Sequence, residues 1–157
     1  MDDNINDLVG DLIISSPAVS DDGYLPAKYT CEGDNINPPF DIGGIPEHTR
    51  SMCLVFEDVD APAGIFIHWL VYDMPPDNHI AENSSAGVVG INSFGNTRYE
   101  GPCPPTGTHR YLFKLYALDA MLQEKEGATV NEIRKAMTGH VLTMTDQMVR
   151  YYKIRNV

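Results

Sequence analysis

The sequence predicts a mainly β protein, an antiparallel β-sandwich with a few short peripheral and C-terminal helices. Three observations carry that expectation. Three apolar runs rich in β-branched and aromatic residues are each stopped by Pro, Gly or Asp. Helical spacing shows mainly late in the chain. Finally, 11 prolines and 13 glycines among 157 residues ask for many turns and few long helices.

At the start, Ile5, Leu8, Val9 and Leu12 have helix-like spacing in a short, polar context. Residues 1–11 are therefore expected to form a flexible or short helical extension of a single domain spanning 1–157. Residues 12–14 read as a short strand closed by Ser15-Ser16-Pro17, and Asp21-Asp22-Gly23 as a turn. Gly33, Pro38, Pro39, Gly43, Gly44 and Pro46 then mark loops around short extended pieces.

Residues 51–57 are apolar on both faces, as a central strand should be, and residues 68–73 form a second strand stopped by Pro75-Pro76. Residues 110–118 are the longest run. A short helix is expected over 120–125. Thr129 and Glu132 have the spacing of a capping box, in which each side chain satisfies an end N–H of the helix. Val130, Ile133, Met137 and Val141 continue as one face of that helix, with Gly139 weakening its last turn. The expected order is strands first and a helical finish.

Charge narrows the function. Eleven Lys and Arg against 22 Asp and Glu give a formal net charge of -11, which repels phosphate backbones and anionic lipid surfaces. Neither nucleic-acid binding nor stable membrane insertion is expected, since no apolar run approaches the ~20 residues of a span. The acidic first residues differ from a basic secretory leader, so a cytoplasmic setting is expected. Cys31, Cys53 and Cys103 are too few for a disulfide scaffold and lack the C-x-x-C spacing of a thiolate zinc site.

Polar chemistry gathers at strand ends. Asp58 and Asp60 follow the central strand, and would share a side if its alternation continued; the plainer alternative is a solvated turn. His68 opens the second strand. His109 precedes the third, with Tyr111 two residues on and hence on the same face. Trp69 should turn away from His68 into the core, and Arg110 away from His109 toward a carboxylate. Cys53, inside an apolar strand, reads as core. Two Asp and two His are also a plausible zinc or iron ligand set, which would make the protein a metal-dependent hydrolase. However, no G-x-S-x-G, H-E-x-x-H or P-loop motif accompanies them.

Four segments occur in a telling order: Lys28-Tyr29-Thr30-Cys31-Glu32-Gly33, then Asp58-Val59-Asp60-Ala61-Pro62, then His68-Trp69, then Gly101-Pro102-Cys103-Pro104-Pro105-Thr106-Gly107-Thr108-His109-Arg110-Tyr111. Together they resemble the phosphatidylethanolamine-binding protein family, also called the Raf-kinase-inhibitor family, and its compact prokaryotic branch most closely. The resemblance runs from about Ser16 to about Lys153. It implies a sandwich of antiparallel sheets with a small pocket for phosphate-like anions, built from Asp58, Asp60, Pro62, His68, Gly101, Pro102, His109 and Tyr111. Two departures stand out: Val59 where the family usually has Pro, and Val149 where a glycine is usual before Arg-Tyr.

In such a pocket His68 and His109 would donate to phosphate oxygens, helped by neighbouring carboxylates, with Tyr111 adding a hydroxyl and the Gly101-Pro102 turn backbone N–H groups. The resemblance implies a ligand-binding protein of a phosphorylated small molecule or lipid headgroup, neither an enzyme nor a metal protein, with no cofactor. A regulatory contact with a kinase or serine protease is the alternative, and a homodimer is compatible with the compact branch. Cys31 and Cys103 lie in two of the matched segments. A bridge between them would close a loop of about 70 residues, worth about 4 kcal/mol by chain entropy, but a cytoplasmic setting favours free thiols.

Overall fold

The computed structural model describes residues 11–153. Apart from Asp11, the expected N-terminal extension lies outside the described residues. Two antiparallel sheets face each other. The smaller has the order β1-β2-β5, from β1 (Ile13–Ser15), β2 (Phe40–Gly43) and β5 (His79–Ile80). The larger has the order β6-β4-β3-β7-β8, from β3 (Ser51–Asp58), β4 (Phe66–Met74), β6 (Val88–Val89), β7 (Thr108–Leu118) and β8 (Val141–Tyr152). Neither closes into a barrel. The mainly β sandwich expected from the sequence is the fold observed.

β3 is buried along all eight residues because both of its faces are covered. Leu54, Phe56 and Phe113 face the small sheet, where the Phe40 ring of β2 meets Phe113 edge-on at 4.7 Å and Phe56 stacks on Phe113 at 3.8 Å. Cys53, Val55 and Leu118 face the other way, under α1 (Val130–Met137), which buries Ile133 and Met137 against them. Cys53 is core, as expected. At the end of this outer layer the buried Glu57 carboxylate lies 3.3 Å from Lys114 Nζ and 3.7 Å from an Arg134 nitrogen, linking sheet to helix.

Two expectations for the helices are corrected. Residues 120–125 are not helical: the Asp73 carboxylate accepts N–H bonds from Leu122 (2.6 Å) and Gln123 (2.9 Å), and Gln123 has a φ of 58°. That side chain offers the backbone a partner which a helical turn would otherwise supply. The capping box at Thr129 and Glu132 is present, but α1 ends at Met137 and Val141 opens β8 instead. Gly139, at a φ of 84°, takes the left-handed conformation that closes a helix, so the chain finishes on a strand of twelve residues.

β8 lies at the rim of the large sheet. Leu25 N–H donates to the Arg150 carbonyl and Arg150 N–H to the Gly23 carbonyl, each at 2.9 Å, so residues 23–25 run beside β8 and satisfy part of its outer edge. Val149, where a family glycine was expected, is fully buried opposite Tyr111.

Cys31 and Cys103 are bonded, across 72 residues of sequence, which corrects the expectation of free thiols. Their loops meet independently of the bridge: Cys31 N–H donates to the Pro102 carbonyl at 3.2 Å, and Gly101 N–H to Asn35 Oδ1 at 2.7 Å. The Cα atoms are thereby held 5.5 Å apart, within ordinary disulfide reach.

Candidate functional site

The site forms where β3 ends, β4 begins and β7 begins, at one end of the inner face of the large sheet. Along β7, His109, Tyr111 and Phe113 alternate inward as the period of two requires. Asp58 closes β3 opposite Tyr111 and turns inward with Leu54 and Phe56. Its Oδ2 accepts the Nδ1–H of His109 at 2.7 Å, with both side chains nearly excluded from water. Its Oδ1 accepts the backbone N–H of Asp60 at 2.8 Å. Both carboxylate oxygens are therefore occupied, and Asp58 acts by orienting His109.

His68 reaches the same place through a β-bulge. Phe56 pairs with Trp69, but Glu57 pairs with Ile67, leaving His68 as the extra residue on β4. The bulge turns both rings toward the inner face: Trp69 packs in the inner core, and His68 lies 5.6 Å from both the Phe56 and the Tyr111 rings. Trp69 is core as expected, but it does not face away from His68. His68 Nδ1 donates to the Glu100 carbonyl at 2.7 Å, and Glu100 N–H returns a bond to the His68 carbonyl at 3.3 Å. Burial pushes the His68 pKa below its usual value, against the opposing pull of the Glu100 carbonyl bond and of Asp58.

A cavity of about 230 Å³ opens in front of the two imidazoles. His68, His109 and Asp58 supply its polar wall; Ala61 and Pro62 form one rim, Phe66 and Phe94 a second, and Cys103, Pro104 and Pro105 a third. The Phe66 and Phe94 rings stand 5.1 and 5.7 Å from His68. The disulfide thus anchors one side of the cavity. Phe66, Phe94, Pro104 and Pro105 were not singled out as site residues from the sequence, and Cys103 was named there only for a bridge to Cys31. The Pro104-Pro105 pair inside the matched segment was the one signal for the Cys103–Pro105 wall; a lone Phe in a loop gives none.

The cavity does not include every expected residue. Asp60 is turned out of it, because the strand stops at Asp58 and its alternation with it. Its carboxylate accepts from Arg110 at three places: the backbone N at 2.8 Å, Nε at 2.9 Å and the terminal guanidinium nitrogen at 2.8 Å. That guanidinium holds the Asp60 pKa down to about 2. Arg110 pairs with a carboxylate, as expected. Gly101 and Pro102 lie behind the wall; the Gly101 N–H is committed to Asn35, which removes it as a donor to a ligand.

Tyr111 backs the imidazoles without lining the cavity. Its buried hydroxyl makes no hydrogen bond of good geometry, although Asp58 lies near enough to bear on it electrostatically. Burial first, then the charges of Asp58 and Asp60, pushes its ionisation far up, so the phenol stays neutral. Among the described residues no three His, Cys, Asp or Glu side chains are placed to hold one metal ion, and no helix is long and apolar enough to cross a membrane.

Comparison with known proteins agrees with this architecture. A family model described as phosphatidylethanolamine-binding protein matches residues 15–152. A UPF0098 protein of Methanothermobacter thermautotrophicus is 40% identical over 137 residues, covering 82% of this chain and 91% of its own. One from Chlamydia muridarum is 41% identical over 145 residues, covering 88% and 97%. The crystal structure of a phosphatidylethanolamine-binding protein homologue from Chlamydia trachomatis superposes with a TM-score of 0.87 at 37% identity, covering 90% of this chain and 97% of that one. E. coli YbcL shares the fold with a TM-score of 0.82 at 22% identity, covering 90% and 98%. With the family model spanning nearly all of the described residues, the chain belongs to the phosphatidylethanolamine-binding protein family.

Proposed function

We propose that this protein binds a small phosphate-bearing ligand, a free phosphorylated molecule or a lipid headgroup, in the cavity between His68 and His109. The carrying observation is the 2.7 Å bond from His109 Nδ1–H to Asp58 inside a small, largely apolar cavity. That bond fixes the ring so that Nε2 is the nitrogen left for a ligand. When Nε2 is also protonated, Asp58 compensates the charge, and the ring offers an anion a charge-assisted donor. The volume of about 230 Å³ suits a headgroup and not an extended molecule. The net charge of -11 acts at long range against anionic surfaces, which favours a small ligand over docking on an acidic membrane.

The test is NMR titration of the histidine side chains with inorganic phosphate and with phosphorylethanolamine. Both ligands should shift the His68 and His109 ring resonances, leaving those of His48 and His79 unmoved. Saturating ligand with no movement at His68 or His109 would refute the reading.

A further inference from the structure

We propose that the cavity selects oxyanions bearing a hydrogen on one oxygen, namely singly protonated phosphate and phosphomonoesters, over phosphodiesters and sulfate, because one of its two ring nitrogens donates and the other only accepts. This deepens the anion-binding reading above and rests on it.

The asymmetry follows from hydrogen-bond partners on the page. A carbonyl oxygen can only accept, so the bond from His68 to the Glu100 carbonyl at 2.7 Å places the proton on Nδ1. A neutral imidazole has one N–H, and Nε2 of His68 is then a bare lone pair. His109 is arranged the other way: its Nδ1–H is spent on Asp58, so any proton it gives a ligand comes from Nε2, with the Asp58 carboxylate beside the ring to balance it. One wall of the cavity therefore gives a proton and the other asks for one.

The surroundings of His68 keep it neutral. From β3 it meets Asp58 and the Phe56 ring, from β7 His109 and the neutral Tyr111, and from the loop before β7 the Glu100 carbonyl. The Phe66 and Phe94 rings flank it at 5.1 and 5.7 Å, beside the opening of the cavity. The Glu100 carboxylate is itself engaged by Asn92, Asn96 and Arg98, which spends part of its charge elsewhere. Asp58 and Glu100 favour the imidazolium and His109 opposes it, but with the residue only 4% exposed, loss of solvent outweighs them.

A phosphomonoester near neutral pH exists partly as a monoanion with one P–OH, because its second ionisation lies at roughly pH 6. That hydroxyl can donate to His68 Nε2 while a charged oxygen accepts from His109. Sulfate and phosphodiesters have no such hydrogen and would set an oxygen lone pair against a nitrogen lone pair. A buried acceptor left without its donor forfeits about one to two orders of magnitude in affinity.

The experiment is calorimetric titration of the full, oxidised chain with four probes: inorganic phosphate, phosphorylethanolamine, glycerophosphorylethanolamine and sulfate. Nitrogen-15 spectra of the His68 ring in the phosphate complex accompany it. Phosphate and phosphorylethanolamine should bind, with the diester and sulfate weaker by about tenfold or more, and His68 Nε2 should keep the shift of an unprotonated nitrogen. Tighter binding of phosphorylethanolamine than of phosphate would assign the site to a free phosphomonoester carrying an amine, and the reverse to free phosphate, while a diester bound as tightly as phosphorylethanolamine would point to an intact lipid headgroup and overturn the selectivity. The proposal is overturned if sulfate binds as tightly as phosphate, or if His68 Nε2 gains a proton on binding. If none of the four probes binds, the anion reading itself falls and takes the selectivity with it. His68→Gln, which can offer an amide N–H in place of the lone pair, should close the gap between phosphate and sulfate; the wild-type comparison decides even if that variant is unstable.

Discussion

Asp60 is tied to Arg110 through the backbone N–H, Nε and a terminal guanidinium nitrogen, and this pair fixes the loop that leads from β3 to Pro62 on the cavity rim. The carboxylate that the sequence places beside the ligand instead holds the wall in place from outside. Because the pair is partly exposed, Asp60→Ala is expected to cost about 0.5–1 kcal/mol in urea unfolding. Phosphate affinity should fall through loss of loop order rather than of a contact, and the Ala61 and Pro62 resonances should broaden. The folded pKa is depressed to about 2 from 3.8, so this contribution is present above the unfolded value and is lost as pH falls through about 2. Acid titration of the wild type should show that loss, and Asp60→Asn should lack it.

His68 adds a second pH dependence, at higher pH. Its folded pKa lies below the ordinary 6.5, so below that value the unfolded chain takes up a proton that the folded one refuses. Stability from this residue is present above 6.5 and falls as the solution is acidified. Thermal melts from roughly pH 7.5 to 5.5 should show the wild type losing stability relative to its own maximum, with a shallower slope in His68→Gln. Equal slopes would mean that the ring titrates alike in both states.

Gly101 tests the packing behind the cavity. A Cβ there would stand 2.0 Å from the Tyr29 carbonyl oxygen and 3.0 Å from the Thr30 Cα, and this stretch of backbone cannot yield cheaply. Gly101→Ala is expected to destabilise by about 1–3 kcal/mol in urea unfolding. With dithiothreitol as the reductant, the Cys31–Cys103 bridge should also open at a lower reductant concentration than in the wild type, since the same displacement disturbs the loops that hold the two cysteines together.

The disulfide joins residues 72 apart, and the double replacement of Cys31 and Cys103 by Ser is expected to cost about 4 kcal/mol if chain entropy dominates. Alkylation before and after reduction, read by mass, should show one free thiol becoming three, and only under denaturing conditions for the buried Cys53.

How much of this was legible in the sequence varies with the kind of interaction. β3 and β7 could be read because apolar residues fill faces that are in fact buried. β8 could not: Val141, Met144 and Met148 are spaced like a helix face, yet they lie exposed on the outside of a strand held by its ladder to β7. The cavity's two histidines and Asp58 followed from family motifs and strand ends. The outward turn of Asp60 and the approach of Trp69 to the His68 side did not, because one depends on where β3 stops and the other on a single unpaired residue in β4. Such features are set by register between distant segments, and local pattern carries no record of them.

The parallel run of residues 23–25 against Arg150 has a temporal consequence. A ribosome delivers Tyr24 long before Arg150, so the early segment must wait, unpaired, through most of translation for the strand that receives it. Until β8 arrives, β7 is itself a bare margin open to other nascent chains. The final dozen residues of the sheet therefore govern both completion of the molecule and its escape from self-association at birth.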